Sequence, residues 1–202
     1  MKAMTKTEAA LKLVEQIGVV RPKDLAGHGI APVYLRRLLD QGLLVQSARG
    51  VYRLPNRKPS VHHDLATVSK LIPNGIICLS SALNFHGLLA EAPDFVWVAV
   101  DRKARRPTIE GLPLRVVQFS DVSLKTGVDR HEIEGVSVPV TNLAKTVVDS
   151  IKFRDRVGLD AALDALRECL RRRRKCPVDE VLRYAKLCRI ENVVARYVEA
   201  LA

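Results

Sequence analysis

The sequence lacks the features that identify several classes of protein. It has four cysteines, at Cys78, Cys169, Cys176 and Cys188. They form no Cys-x-x-Cys pair and show no regular disulfide spacing, so we predict reduced, mostly buried thiols rather than zinc ligands or bridges. No apolar run approaches the roughly 18 residues of a membrane span. The N-terminus carries Glu8 and Glu15 and no continuous apolar core, so we expect no signal peptide, no membrane partner and a cytoplasmic location.

Motifs for catalysis and metal binding are also missing. The chain has neither a Gly-x-x-x-x-Gly-Lys phosphate loop nor a serine nucleophile motif. His62 and His63 are adjacent, and neighbouring side chains on a helix point about 100° apart, so they cannot easily share one ion. His86 is predicted to be a packed or capping side chain. No metal and no cofactor are expected.

Two charged patterns superficially suggest an enzyme. Asp94, followed by Asp101 and Lys103, resembles the PD-(D/E)xK nuclease pattern, which gathers carboxylates and a lysine around Mg²⁺. Six residues separate the two aspartates on one predicted strand, so at about 3.3 Å per residue they would stand at opposite strand ends. Lys145 and Asp149 have the i, i+4 spacing of an intrahelical ion pair. We therefore expect no catalytic residues and no enzyme, with a nuclease as the weaker alternative.

The charge of the chain is unevenly distributed. The 202 residues carry a net charge of +11. Residues 1–60 hold eleven Lys or Arg against four Asp or Glu, a net charge of +7, and the other 142 residues carry +4. This concentration of positive charge indicates a polyanion partner for the N-terminal region.

A helix-turn-helix pattern occupies the first part of residues 21–54. Pro22 suits the first turn of a helix, where its missing N–H costs nothing. Residues 27–29, Gly-His-Gly, supply a turn because glycine allows positive φ. Ala31 and Pro32 then open a second helix.

The second helix is predicted to be amphipathic. Its apolar stripe consists of Leu35, Leu38 and Leu39. At roughly 100° per residue, the opposite face carries Val33, Arg36, Arg37 and Asp40, with Tyr34 on the flank.

A two-stranded ribbon follows this helix. Gly42 ends the helix, and residues 43–46 and 51–54 are predicted strands, joined by a turn over residues 47–50 in which Gly50 supplies the special φ. Tyr52 and Leu54 are expected to alternate inward.

Helix, turn, basic helix and ribbon together predict a winged helix-turn-helix. Its second helix would enter the DNA major groove and its wing would lie along the backbone or minor groove. The less specific interpretation is a small helical domain whose arginines are merely solvated. The predicted DNA-binding residues are Lys23, Pro32, Val33, Tyr34, Arg36, Arg37, Arg49 and Arg53.

The remaining pattern predicts an α+β protein. Thr5 and Glu8 have capping-box spacing at the start of a first helix. Residues 55–59 form a basic, proline-flanked linker between a winged helix-turn-helix domain (1–58) and a mixed α+β domain (59–202) that ends in helices. In this second domain, residues 76–79, 95–100 and 114–119 are predicted strands, residues 132–140 a hairpin turning at Glu134-Gly135, and Ser80 and Ser81 a helix cap.

The C-terminal helices carry a second basic cluster. Leu159, Leu163, Leu166 and Leu170 form a predicted apolar stripe. The five consecutive cations that end this helix are Arg171, Arg172, Arg173, Arg174 and Lys175. Positive charge there complements the helix dipole, whereas the excess suggests contact with nucleic acid or an acidic partner. Both interpretations stay open.

The order of these segments resembles a known family. Residues 42–54, GLLVQSARGVYRL, resemble the wing of AbiEi-family antitoxins, which typically has R-G-V-Y before its last strand. Residues 78–88, 134–149 and 157–166 resemble that family's C-terminal domain, so the resemblance spans nearly the full chain.

This resemblance implies the antitoxin of a type IV toxin–antitoxin system associated with abortive phage infection. Such an antitoxin represses its own operon by binding operator DNA through the N-terminal domain. It counteracts a neighbouring nucleotidyltransferase toxin of the AbiEii type through the C-terminal domain, without a stable complex. A dimer on inverted repeats is one arrangement open to it. The alternative is a winged-helix regulator whose C-terminal domain senses a ligand or dimerises.

Overall fold

The computed structural model describes residues 5–56 and 58–201. Arg57, which belongs to the predicted linker, and Lys2, which contributes to the N-terminal charge, lie outside the described residues. The fold is α+β, as predicted.

The helices are α1 (Lys6–Ile17), α2 (Pro22–Gly27), α3 (Val33–Asp40), α4 (His63–Leu71), α5 (Leu79–Phe85), α6 (Asp121–Lys125), α7 (Leu143–Lys152), α8 (Arg154–Val157), α9 (Leu159–Arg171), α10 (Val178–Leu187) and α11 (Glu191–Leu201). The strands are β1 (Val45–Ala48), β2 (Val51–Arg53), β3 (Ile76–Ile77), β4 (Val96–Asp101), β5 (Leu114–Phe119), β6 (Val128–Ile133) and β7 (Val136–Thr141). In the part of the chain that the structure describes, no helix combines the length and apolarity needed to cross a bilayer.

The strands form two sheets. β1 and β2 pair antiparallel in the ribbon. The other sheet has the order β5-β4-β3-β7-β6. In it β4 runs parallel to β5, and β3 runs antiparallel to β4 and parallel to β7. β6 and β7 meet at Glu134 and Gly135, whose φ angles of 53° and 77° are those of a two-residue hairpin turn.

The chain divides into two compact units. The first consists of Met1–Asn74, Pro107–Pro113 and His131–Val138, and the second of Gly75–Arg106, Leu114–Arg130 and Pro139–Ala202. The predicted domain boundary between residues 58 and 59 therefore lies within the first unit, which also includes α4.

The first unit is built on a helical core. Thr5 and Glu8 form the predicted capping box, with the Thr5 N–H 2.7 Å from Glu8 Oε2 and the Glu8 N–H 3.2 Å from Thr5 Oγ1. Leu25, Leu35 and Leu38 are fully buried in this core. Their burial fixes which face of α3 stays in solvent.

The hairpin turn at residues 134–135 is anchored in the first unit. A Cβ at Gly135 would lie 2.0 Å from the carbonyl oxygen of Ile17, so no other residue fits. The Glu134 carboxylate accepts from the Ser60 N–H at 2.7 Å and is 2.8 Å from His63 Nδ1. Burial raises the pKa of Glu134, but these hydrogen bonds and the His63 charge outweigh it, so the net shift is downward.

The second unit buries α7 together with several of its polar side chains. Asn142 caps it by accepting from the Lys145 N–H at 2.9 Å. Lys145 and Asp149 are both buried, and Lys145 Nζ is 2.7 Å from Asp149 Oδ1 and 2.5 Å from Oδ2. The predicted intrahelical ion pair is confirmed. Burial raises the pKa of Asp149, and the Lys145 ammonium offsets part of this shift.

The prediction of four reduced cysteines is wrong. Cys169 and Cys176 form a disulfide with a Cα–Cα distance of 5.4 Å. Cys169 lies in the last turn of α9 and Cys176 just before α10, so the reversal of the chain between these helices brings the two sulfurs together. Cys78 and Cys188 are free and buried, as predicted.

Several local predictions in the second unit also need correction. Ser80 and Ser81 lie inside α5 and do not cap it, because the helix begins at Leu79 and Cys78 is its N-cap residue. Ser81 Oγ instead accepts from the Trp97 N–H at 2.9 Å. The buried face of α9 consists of Ala162, Ala165, Leu166 and Cys169. Leu159 of the predicted stripe is exposed.

Candidate nucleic-acid interface

The helix-turn-helix is fixed by hydrogen bonds at the entry of α2. Pro22 occupies the first turn of α2, and the Arg21 N–H donates to Asp24 Oδ2 at 2.7 Å. Lys70 Nζ lies 3.0 Å from the same Asp24 oxygen. Gly29 takes a φ of +68° in the turn, and Ile30 behind it is buried. The turn therefore sets the direction in which α3 leaves.

α3 presents the face that the sequence predicts. Leu35 and Leu38 are buried, whereas Val33, Arg36 and Arg37 are exposed. Tyr34 is half-buried on the flank. α3 therefore packs one face against the core and presents a basic face to solvent.

The two arginines of α3 are engaged differently. Arg36 Nε donates to Asp40 Oδ1 at 3.0 Å. The Arg37 guanidinium lies 5.2 Å from the centroid of the Tyr34 ring, a distance typical of a cation–π contact. Within residues 5–56 and 58–201, Arg37 has no ion pair, so its donors are available for a bidentate contact with guanine.

The entry to α3 carries the other predicted residues. Pro32 is the N-cap residue, without a side-chain cap, and is exposed. Lys23, on α2, is exposed as well. Both lie on the helix-turn-helix surface with Val33.

The wing has a two-residue tip formed by Arg49 and Gly50. β1 begins two residues later than predicted and extends to Ala48, which pairs with Val51. Gly50 takes a φ of +76°. The side chain of Arg49 is 81% exposed, as expected for a wing tip, and its Nη1 donates to Glu110 Oε2 at 2.8 Å.

The base of the wing is more buried than the sequence indicates. Tyr52 and Leu54 pack against the helical core, as predicted, but Val51 on the other face is fully buried as well. Arg53 is half-buried, and its Nη1 donates to the Leu54 carbonyl oxygen at 3.0 Å. Arg53 is therefore less available to DNA than Arg49.

Two features of this surface escaped the sequence analysis. Val20 and Tyr52 exchange backbone hydrogen bonds of 2.9 Å in both directions, which form an isolated antiparallel β-bridge beside the wing. The apolar pair Val19-Val20 ahead of Pro22 is the signal that could have indicated it. Glu110 lies 61 residues from Arg49, and no local pattern connects them.

The second basic cluster does not act as one group. Arg172 is half-buried and donates to Glu168 Oε1 at 2.8 Å, to the His86 carbonyl at 2.9 Å and to the Gly87 carbonyl at 3.1 Å. The other four members, Arg171, Arg173, Arg174 and Lys175, are exposed. Arg172 therefore connects the end of α9 to the residues that follow α5. The other four cations are accessible to a partner.

The candidate residues for catalysis and metal binding either lie apart from one another or are already hydrogen-bonded within the protein. Asp94 precedes β4 and Asp101 ends it, so the strand separates them. His86 Nε2 lies 2.7 Å from the Thr141 carbonyl oxygen, in agreement with a packed side chain. Among the described residues, no three His, Cys, Asp or Glu side chains are placed to hold a metal ion.

Comparisons with known proteins find a family similarity in the N-terminal region and a similar fold. No curated protein matches the sequence of this chain. The crystal structure of the RV2827C protein from Mycobacterium tuberculosis is similar, with a TM-score of 0.61 and 14% identity over 92% of this chain and 73% of that chain. At this identity the similarity concerns the fold alone.

A family model described as "Transcriptional regulator, AbiEi antitoxin" matches residues 8–55, which span α1 to the wing. The C-terminal segments that resemble the same family lie outside this match, so that part of the resemblance stays a prediction. The N-terminal region of the chain is thus similar to the AbiEi antitoxin family of transcriptional regulators.

Proposed function

We propose that this protein binds operator DNA through α3 and the wing, represses its own operon and counteracts a nucleotidyltransferase toxin encoded next to it. The observation that carries the proposal is the exposed arginine pair of α3, together with the exposed wing arginine Arg49, in a region that matches the AbiEi family. The proposal places the protein in the cytoplasm and assigns it no catalytic activity.

The expected contacts follow from the exposure of each side chain. Arg37, with Val33 and Arg36, would reach base edges in the major groove. Arg49 and Lys23 would contact phosphates, which supplies affinity without sequence preference. Arg53 would support the wing rather than touch DNA.

A reporter and a growth assay test the two halves of this proposal. The operon's promoter drives a reporter in cells that contain the full-length protein, and the neighbouring gene product is induced with or without it. We expect repression of the reporter and rescue of growth. Arg37→Ala should release repression while the protein remains folded. Repression without rescue would favour the alternative, a plain winged-helix regulator.

Mg²⁺-dependent cleavage tests the assignment of no enzymatic activity. The purified protein should leave plasmid DNA intact in the presence of Mg²⁺. Cleavage that Asp101→Ala abolishes would contradict the proposal and support the nuclease alternative.

A further inference from the structure

The helical end of the second unit contains a cleft of about 340 Å³ that is lined by aliphatic side chains and arginines. Its floor is aliphatic and consists of Leu170 from α9, Val178 from α10, and Val198 and Leu201 from α11. Val178 is itself exposed. An open aliphatic floor of this kind favours the side chains of a second molecule over water.

The rim of the cleft is formed by three arginines, Arg167, Arg171 and Arg173. Residues 167–175 contain six Lys or Arg and one Glu, a net charge of +5. Arg167 pairs with Asp164, and Arg171 makes only a 3.6 Å contact with Glu168, which is also bonded to Arg172. Within the part of the chain that the structure describes, Arg173 has no ion pair. The ion pairs within the described residues therefore do not neutralise all of the positive charge at the rim.

The rim is held in place by two features. The Cys169–Cys176 disulfide closes the segment that carries Arg171 and Arg173. Arg172, between them, is tied to the His86 and Gly87 carbonyls. A rim ordered in advance loses less conformational entropy when a partner binds.

We infer that this cleft docks an acidic amphipathic segment of a partner protein, with aliphatic side chains on the floor and carboxylates at the arginine rim. Amphipathic helices bind apolar grooves in this way. Single-stranded nucleic acid is a poorer match, because its bases stack on aromatic side chains and the described lining of the cleft contains none. This inference does not depend on the DNA-binding proposal.

Fluorescence anisotropy with designed peptides tests the inference on the full-length, oxidised protein. The probe is a labelled helical peptide with leucines at i, i+3, i+4 and i+7 and glutamates elsewhere. One matched peptide scrambles the leucines, and another replaces each glutamate with glutamine. A single-stranded and a double-stranded oligonucleotide serve as competitors. Only the striped acidic peptide should bind tightly, and neither oligonucleotide should displace it.

Substitutions in the cleft test whether the striped peptide binds there. Val198→Asp should weaken binding of the striped peptide at least about tenfold, because it puts a carboxylate on the floor where hot-spot burial is expected. Arg171→Gln with Arg173→Gln should weaken it about fivefold, within the range for exposed ion pairs. These two arginines are exposed, so this variant folds even if Val198→Asp does not. Lys186→Gln with Arg196→Gln removes equal charge from exposed positions outside the cleft and should leave binding unchanged.

The opposite results would overturn the inference. Equal binding of the striped and scrambled peptides would mean that only charge is recognised. Displacement by an oligonucleotide would assign the surface to nucleic acid, and the absence of peptide binding would remove the docking site altogether.

Discussion

α3 and α7 each carry a cation and an aspartate four residues apart, yet the two helices use them in opposite ways. In α3, the side chains of Arg36 and Asp40 are 75% and 59% exposed. In α7, those of Lys145 and Asp149 are 0% and 1% exposed. The sequence spacing is identical, so the packing around each helix decides whether the pair lies in solvent or in the core.

This difference has an energetic consequence. An exposed ion pair contributes about 0–1 kcal/mol to stability, because water screens it. Removing one partner of a buried pair leaves an uncompensated charge and costs about 3–5 kcal/mol. The pair in α3 should therefore contribute little to folding, whereas the pair in α7 should be necessary for the stability of the second unit.

The largest expected effect is on the buried pair. Lys145→Met leaves the Asp149 carboxyl without its ammonium, so the free energy of unfolding should fall by about 3–5 kcal/mol. Arg36→Ala, the exposed counterpart, should change it by less than about 1 kcal/mol. Urea denaturation measures both. Joint replacement with Lys145→Met and Asp149→Leu should recover much of the loss, and similar values for the two single variants would invalidate the comparison.

The next effect concerns DNA recognition by α3. Arg37→Ala should cost about 1–3 kcal/mol at the operator and relax discrimination at one base pair, as for loss of a bidentate guanine contact. Arg36→Ala should cost less, since Asp40 already occupies its Nε. Anisotropy titrations against operator variants measure both. A larger loss from Arg36→Ala would reverse the assignment of the two arginines.

The stability of the first unit at low pH is expected to depend on the ionisation of Glu134. Its pKa is lowered from the ordinary value of 4.5, so its ionisation contributes stability that is complete above that value and is lost as the pH falls through the lowered pKa. Thermal melts below about pH 4.5 should therefore show a steeper loss for the wild type than for Glu134→Gln. The variant should also be less stable at neutral pH. Parallel pH profiles would show that Glu134 is not the responsible group.

The smallest effect concerns the wing tip. Glu110 occupies Arg49 at 2.8 Å in the free protein, so it competes with a DNA phosphate. Glu110→Gln should raise affinity for all DNA sequences about two- to fivefold, because an exposed pair is weak. Arg49→Ala should lower affinity and flatten the salt dependence by about one unit of slope. Unchanged affinity of Glu110→Gln at low salt would show that the ion pair does not restrain the wing.

Local patterns in the sequence predicted local structure well. The Thr5–Glu8 cap, the turn at Glu134-Gly135 and the exposed face of α3 each depend on residues a few positions apart, and the structure confirms all three. The predicted start of α5 is wrong, because a serine that can cap a helix can also lie within one.

Contacts between residues far apart in the sequence could not be predicted from local patterns. The Arg49–Glu110 pair joins residues 61 positions apart, and the arrangement of β3 with β7 depends on a crossover. Burial of Lys145 was equally unpredictable, because the helical pattern alone makes it look like a surface residue. Arg172 stands among four exposed cations, and only its bonds to the His86 and Gly87 carbonyls distinguish it.

We propose that α3 and the wing, rather than the positive charge of the whole chain, bind the operator. The most direct test compares Arg37→Ala/Arg49→Ala with the charge-matched Lys186→Ala/Arg196→Ala, titrating each full-length variant with operator and with scrambled DNA at two salt concentrations. The first variant should lose both affinity and preference for the operator, while the second should retain both. Equal losses in the two variants would contradict it.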